Sequence, residues 1–308
     1  MGETGRTAYK PEMTRNMVLL NLTGLGLFWG LSPALYRLLG EAHVPVSHII
    51  VLTGAGVALG LALLQLVRRG QLLIDRRVLA YGLGCGLLLN IPFALSLWFA
   101  RHLPVSTYAV VVSTAPLWTY AVALLSGREG PSPWRFGALG LGFLASLALI
   151  VTRETDPARS VTAGLVAASF AVPMLYAAYN SFCSMAWPRG MDSLAAGIAE
   201  SAASALIVLP LMVWFDPPSG VTTTAFGYWL ILAATLMWVV ERIVYFGLIR
   251  HAGPVSTVQA VYISTPGGVL FGVVLFKDHA DLWLVVSLAL VMAALVCNNR
   301  ATRALRRA

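Results

Sequence analysis

Ten mostly apolar stretches of about twenty residues, separated by short polar connections, limit this chain to very few kinds of fold. They lie near 17–39, 45–67, 78–100, 104–125, 134–152, 161–186, 192–214, 225–249, 254–276 and 281–298. A helix rising ~1.5 Å per residue needs ~20 such residues to cross ~30 Å of hydrocarbon. Lipid offers the backbone no hydrogen-bond partner, so only helices and closed barrels span it, and continuous apolar runs lack the alternation of a barrel strand. With 58% of residues apolar and only 11% charged, the composition also lies outside that of a soluble globular domain. The expected fold class is all-α integral membrane, with ten transmembrane helices.

The net charge of +8 raises the question of a nucleic-acid partner. Placement of the charges answers it. With a cytoplasmic N-terminus, Arg6, Lys10, Arg15, Arg68, Arg69, Arg76, Arg77, Arg128, Arg135, Arg189, Arg250 and the Arg300–Arg307 tail fall inside. Only Arg37, Arg101, Arg153, Arg159 and Lys277 fall outside. This is the positive-inside asymmetry of a multi-pass protein, and no nucleic acid is needed to explain it. The run after Arg15 is too long for a signal-peptide core, so it reads as a retained first span with both termini cytoplasmic. The expected organisation is a tail over 1–16, five helices over 17–152, a linker over 153–160, five helices over 161–298 and a basic tail over 299–308.

Two segments nearly repeat each other, RHLPVSTYAVVVSTAP at 101–116 and RHAGPVSTVQAVYISTP at 250–266. Aligning Pro104 with Pro254 brings Val105, Ser106, Thr107, Val111, Pro116 and Leu125 onto identical residues 150 positions later. Five spans separate the copies, so the second enters the membrane from the opposite face. Two inverted five-helix repeats around a central cavity are therefore expected; chance likeness between apolar helices is the alternative. Pro33, Pro92, Pro173 and Pro210 also lie within spans, but Pro116 and Pro266 correspond across the repeat and are the candidate paired hinges. Glycine groups at Gly54, Gly56 and Gly60, at Gly82, Gly84 and Gly86, and at Gly137, Gly140 and Gly142 permit close helix approach, in the fold or in a dimer.

An ionisable side chain at mid-membrane costs roughly 2.5–3.5 kcal/mol on insertion scales, so each one present needs a reason. Glu200 in span seven and the adjacent Glu241 and Arg242 in span eight lie ~12 Å from the inner ends of their helices. Trp238, Glu241, Arg242 and Tyr245 form one stripe of span eight, and Gly197, Glu200, Ser201 and Ser204 one stripe of span seven. Such stripes face the bundle interior or a solute path. The alternative is an ion pair that locks helices together and never meets solute. Softer candidates are Tyr176, Tyr179 and Asn180 in span six, Asn21, Trp29, Ser32 and Tyr36 in span one, Gln259 and Tyr262 in span nine, and Asn90 and Trp98 in span three. Each has a packing or interfacial-anchor alternative.

Cys85, Cys183 and Cys297 sit singly in separate spans without metal-ligand spacing, and His43, His102, His251 and His279 lie at span ends. No metal, cofactor or catalytic cluster is expected, and the phosphate-binding Gly-x-x-x-x-Gly-Lys-[Ser/Thr] loop is absent. The reading is a non-enzyme.

The Trp29-Gly30 pair, Arg37 further along span one, the prolines of spans four and nine, and the 5+5 arrangement resemble the EamA-type branch of the drug/metabolite transporter superfamily. Many of its members carry Gly-Glu after spans four and nine, where this chain has Gly127-Arg128-Glu129 and Lys277-Asp278. The resemblance implies a bacterial inner-membrane carrier with a central cavity, often an exporter of amino acids or related metabolites. A secondary transporter of a small zwitterionic or cationic solute by alternating access is then expected. An organic-cation or drug efflux carrier is the alternative, and a channel or membrane-embedded enzyme a more distant one. Glu200, Glu241, Arg242, Trp238, Tyr245, Tyr176, Tyr179, Asn180, Gln259, Tyr262, Trp29 and Asn90 are the candidate solute contacts. Glu200 and Glu241, as carboxylates at membrane depth, are the candidates to carry a coupling proton. The expected partners are the solute and membrane lipids; a monomer is plausible, with oligomeric state left open.

Overall fold

The computed structural model describes residues 15–127, 130–154, 163–217, 223–251, 257, 260–279 and 281–305. The helices are α1 (Arg15–Glu41), α2 (Val46–Arg69), α3 (Arg76–His102), α4 (Val105–Val112), α5 (Ala115–Leu125) and α6 (Pro133–Glu154). They continue as α7 (Ala163–Ser169), α8 (Ala171–Met185), α9 (Ser193–Phe215), α10 (Ala225–His251), α11 (Val261–Phe276) and α12 (Leu282–Leu305). Each of the ten apolar stretches is thus helical over its described part, and no strand occurs among the described residues. Among the described residues seven helical stretches are long and apolar enough to cross a membrane, and the apolar helices Ile263–Phe276 and Leu282–Cys297 are shorter. The chain is a multi-pass membrane protein.

Spans four and six depart from the expected single helices, each being two helices end to end. In span four the hydroxyls of Ser113 and Thr114 donate to the carbonyls of Val110 and Val111 at 2.6 and 2.8 Å, competing for acceptors of the helix ladder. Pro116 follows in the first turn of α5, where its missing N–H has no helical partner to lose. In span six Ser169 donates to Val166 in the same way at 2.6 Å, and Pro173 follows shortly after. Pro33, Pro92, Pro210 and Pro266 instead lie inside continuous helices. Pro116 and Pro266 therefore differ in local structure: one starts a helix at a break, the other is carried within α11. Pro254 and most of the second copy of the repeated segment lie outside the described residues.

Close packing follows the glycines. A Cβ on Gly82 would lie 2.6 Å from the Ala199 backbone, one on Gly86 2.7 Å from Ser204 N, and one on Gly54 3.0 Å from Ser201 O. These residues seat α3 and α2 on α9. Gly26 and Gly30 similarly seat α1 on α11 at Ala260, Ile263 and Ser264. The glycines of α2 and α3 are thus spent inside the fold, whereas Cβ atoms on Gly137 and Gly140 would meet open space. Further neighbours include α6 with α12, α4 with α11, α3 and α5 with α8, α1 with α3, and α10 with α1, α2 and α9.

Two apolar clusters bracket the centre of the bundle. One gathers Leu39, Val44, Ile49, Leu97, Leu103 and Val110 near one membrane face. The other gathers Leu25, Tyr81, Cys85, Cys183, Phe246 and Ile249 toward the opposite face. Polar locks accompany them at the helix ends. Arg37 of α1 pairs with Glu41 at 3.0 Å and Asp278 at 3.4 Å, and Asp278 accepts from Ser106 N at 2.9 Å in the first turn of α4. At the other ends of the helices, Asp192 of α9 accepts from Arg250 of α10 at 3.4 Å and from Gln65 of α2 at 3.3 Å.

The α3–α9 seam yields a test. Gly82→Val is expected to lower the stability of the purified protein in detergent by about 1–3 kcal/mol through overpacking. Gly137→Ala should leave the unfolding curve within about 0.5 kcal/mol of wild type. Equal effects of the two changes would show that the seam is not tightly packed.

Candidate functional site

Between the two apolar clusters lies a cavity of about 180 Å³. Its wall is drawn from α1 to α5 and from α8 to α11, so both the first and the last five spans contribute. Aromatic side chains make up much of the lining. Phe93 meets Trp238 edge-on at 5.2 Å between centroids, and Tyr36 lies 5.8 Å from Phe93 and 6.3 Å from Trp238.

One end of this cavity is charged. Glu241 and Arg242 are neighbours on α10, and their side chains converge: Arg242 Nη1 donates to Glu241 Oε2 at 2.8 Å. Glu241 Oε1 accepts from the indole N–H of Trp29 on the neighbouring α1 at 3.1 Å. Arg242 Nε lies 3.5 Å from Glu200 Oε2, and Glu200 Oε1 accepts from the Tyr179 hydroxyl at 2.7 Å. One guanidinium thus bridges two carboxylates, each held by an aromatic donor. Around it Tyr245 donates to Asn180 Oδ1 at 2.7 Å and stacks on Tyr179 at 6.2 Å.

Exposure separates the three charges. The Glu200 side chain is 0% exposed and that of Glu241 6%, while that of Arg242 is 18% exposed. Glu241 and Arg242 line the cavity; Glu200 stands behind Arg242 as a brace rather than at the wall. Arg242 is therefore the charge most open to a solute, with the carboxylates oriented by their own partners.

The other sequence candidates fall as follows. Trp29, Tyr176, Tyr179, Asn180, Trp238 and Tyr245 line the cavity. Asn90 is buried beside it, donating to Ser204 O at 3.1 Å and accepting a short hydrogen bond from the Ser204 hydroxyl. Gln259 lies outside the described residues, as does the side chain of Tyr262. Sequence reasoning missed Phe93, Ser96, Tyr108 and Ser264 in the wall. Leu89, Phe93 and Ser96 share a helical face, the available signal for two of them; Tyr108 sat unnoticed inside the repeated segment. Cys85 and Cys183, each single on its own span, meet in the fold: their sulfurs lie 3.5 Å apart between α3 and α8, both as free thiols. Among the described residues no group of three His, Cys, Asp or Glu side chains is placed to hold a metal ion.

Fold and cavity together define a multi-pass helical membrane protein with a cavity shared by both halves of the chain. Over 286 residues the chain is 29% identical to Protein RarD of Streptomyces exfoliatus, spanning 89% of this chain and 86% of that one. It also superimposes on a solved crystal structure with a TM-score of 0.64 at 19% identity, covering 94% of this chain and all of the other, a likeness of fold alone. No family model matches the chain.

The charge cluster predicts an asymmetric response to mutation. Arg242→Met strands two buried carboxylates and is expected to cost about 3–5 kcal/mol of stability. Adding Glu200→Gln to that variant should restore part of the loss, read by thermal unfolding in detergent. A single variant as stable as wild type would mean that the guanidinium is not what neutralises the carboxylates.

Proposed function

We propose that this protein is a secondary carrier of a small organic solute, of the EamA-like drug/metabolite transporter kind, working by alternating access through the central cavity. The observation that carries this reading is a bridged Glu–Arg–Glu cluster, deep along its helices, beside a cavity walled by spans from both halves of the sequence. Charges so placed are expensive, and a role in a solute path explains their presence better than packing does. The volume is below the ~300–1,000 Å³ of pockets for drug-sized ligands, which favours a solute of amino-acid size.

The neighbour pattern supports an inverted 5+5 organisation over 17–152 and 161–298. Exchanging span n with span n+5 maps the pairs two–seven, five–ten and four–nine onto themselves. It also turns three–seven into eight–two, one–nine into six–four and three–six into eight–one, all of which are packed pairs. Two bundles related in this way can trade conformations and expose the same site to either face. Basic residues on the cytoplasmic side then give an inner-membrane protein with both termini inside, and export is the direction we assign.

The most exposed charge, Arg242, suits the carboxylate of a zwitterion, with Glu241 taking its amine in place of the Trp29 N–H. A second reading has specific support: two carboxylates against one guanidinium leave a net negative site beside Trp238, Phe93 and Tyr36, which also suits an organic cation. Glu200 and Glu241 remain the groups proposed to carry a coupling proton.

Reconstituted in liposomes, the wild type is expected to give saturable flux that counter-solute accelerates. Glu241→Gln and Arg242→Ala, if still folded, should reduce it at least about tenfold, since each removes a charge-assisted contact. Under the zwitterion reading Arg242→Ala harms a carboxylate-bearing solute more than the matching amine; under the cation reading the amine is spared in neither variant. Unitary conductance steps, or full flux in both variants, would sink the carrier mechanism at this site.

A further inference from the structure

We infer that α5 and α8 form one swinging leaf, hinged where spans four and six are broken, whose tilt away from α3 and α9 opens the cavity toward the face at which both helices end. The inference rests on the carrier reading and deepens it by naming the part that moves.

The two breaks are built alike. In span four the Thr114 amide bonds the Val111 carbonyl at 3.1 Å instead of the Val110 carbonyl, which Ser113 Oγ takes at 2.6 Å. In span six the Phe170 amide bonds the Ala167 carbonyl at 3.2 Å instead of the Val166 carbonyl, which Ser169 Oγ takes, again at 2.6 Å. Pro116 and Pro173 follow, each lacking the N–H that would close the next turn. Beyond the second break the Met174 amide reaches the Phe170 carbonyl only at 3.5 Å. A helix resists bending through its i→i−4 bonds, so it bends where several of them are displaced or missing. Proline alone does not suffice, since Pro33, Pro92, Pro210 and Pro266 lie within continuous helices. The break before Pro116 thus has its match in span six rather than in span nine.

The breaks also lie side by side. Spans four and six are both even crossings and run the same way; α4 packs on α7 before the breaks, and α5 packs on α8 after them. Two hinges at one level on neighbouring parallel helices share an axis, so the halves beyond them turn together. Before its break α4 is anchored: Asp278 accepts from Ser106 N and Oγ at 2.9 and 3.0 Å and pairs with Arg37 of α1. Beyond its break α8 meets the bundle through contacts that can part. Tyr179 donates to Glu200 and Tyr245 to Asn180, both at 2.7 Å, and Cys183 meets the Tyr81 hydroxyl at its carbonyl and Cys85 at its sulfur. Tyr179 lies about 15 Å beyond Ser169 and Cys183 about 21 Å, at ~1.5 Å per residue. A bend of about 20°, the scale of a kink, carries them about 5 and 7 Å. That swing takes the Tyr179 hydroxyl off Glu200 and Asn180 off Tyr245, so the leaf's position and the state of the charge cluster are coupled.

Distances between spin labels test this without any solute. Val67 near the end of α2, Leu125 at the end of α5 and Met185 at the end of α8 are exposed and lie toward one face. Each pair of the three is replaced by labelled cysteines in the full-length protein carrying Cys85→Ser, Cys183→Ser and Cys297→Ser, reconstituted in lipid nanodiscs. Distances from position 67 to positions 125 and 185 are each expected to fall in two populations at least about 5 Å apart, while the distance between 125 and 185 stays single and narrow. Healing both breaks, with Ser113→Ala, Thr114→Ala and Pro116→Ala in one and Ser169→Ala and Pro173→Ala in the other, should leave one population and an unfolding temperature at or above that of the parent. One narrow distance from position 67 to both labels overturns the leaf. So does a 125–185 distance as broad as the others, which would show two independent helices, or two populations that persist in the healed protein. Should the healed protein fail to fold, the distances in the unhealed one decide alone. Saturable flux with a rigid leaf strikes this inference and leaves the carrier reading standing; a moving leaf with conductance steps strikes the carrier reading instead.

Discussion

A charged side chain at mid-membrane has no water to turn to, so everything that satisfies it must be built into the protein. Glu200, Glu241 and Arg242 go most of the way by sharing: one guanidinium serves two carboxylates, Tyr179 and Trp29 each donate to one carboxylate, and Glu200 Oε2 is left with the ion pair alone. Because these partners come from α1, α8, α9 and α10, the cluster fixes the relative positions of four helices. It also fixes where polarity is allowed to accumulate, and the cavity opens there.

Holding such a cavity open inside an apolar bundle requires helices that are close in some places and parted in others. Glycines provide the closeness, bringing α3 and α2 down on α9 and α1 down on α11. The broken spans provide the parting. In span four, hydroxyl groups capture carbonyls of the last turn of α4 before Pro116 begins α5, leaving Ser113 and Ala115 in the cavity wall. The same residue types that weaken a helix thus line the space it encloses. Apolar clusters and end-of-helix ion pairs flank the cavity and hold the helices around it.

The division of labour among the three charges follows from depth. Glu200, farthest from the cavity, orients Arg242; Glu241 both orients Arg242 and faces the cavity; Arg242 presents the most surface. Charge count alone treats the two glutamates as equivalent, yet their hydrogen-bond partners make them different. Trp29 in particular ties Glu241 to the neighbouring α1, so whatever displaces that N–H also loosens an α1–α10 contact.

The sequence by itself determined the ten helical stretches, because crossing hydrocarbon demands long apolar runs and allows no other backbone. It also determined the stripe Trp238–Glu241–Arg242–Tyr245 and the depth of Glu200, since helical period and rise are fixed. Tertiary structure alone decided who meets whom. Phe93 looked like any apolar residue and Tyr108 like any residue of the repeat until helix rotation turned both into the cavity; Cys85 and Cys183, 98 positions apart, became neighbours by the same route. Proline identity also promised a matched pair at Pro116 and Pro266, but the helix breaks before Pro116 and runs on through Pro266, although Ser264 and Thr265 also donate to a helix carbonyl. Periodicity tells which residues share a face of one helix; only packing between helices tells what that face sees.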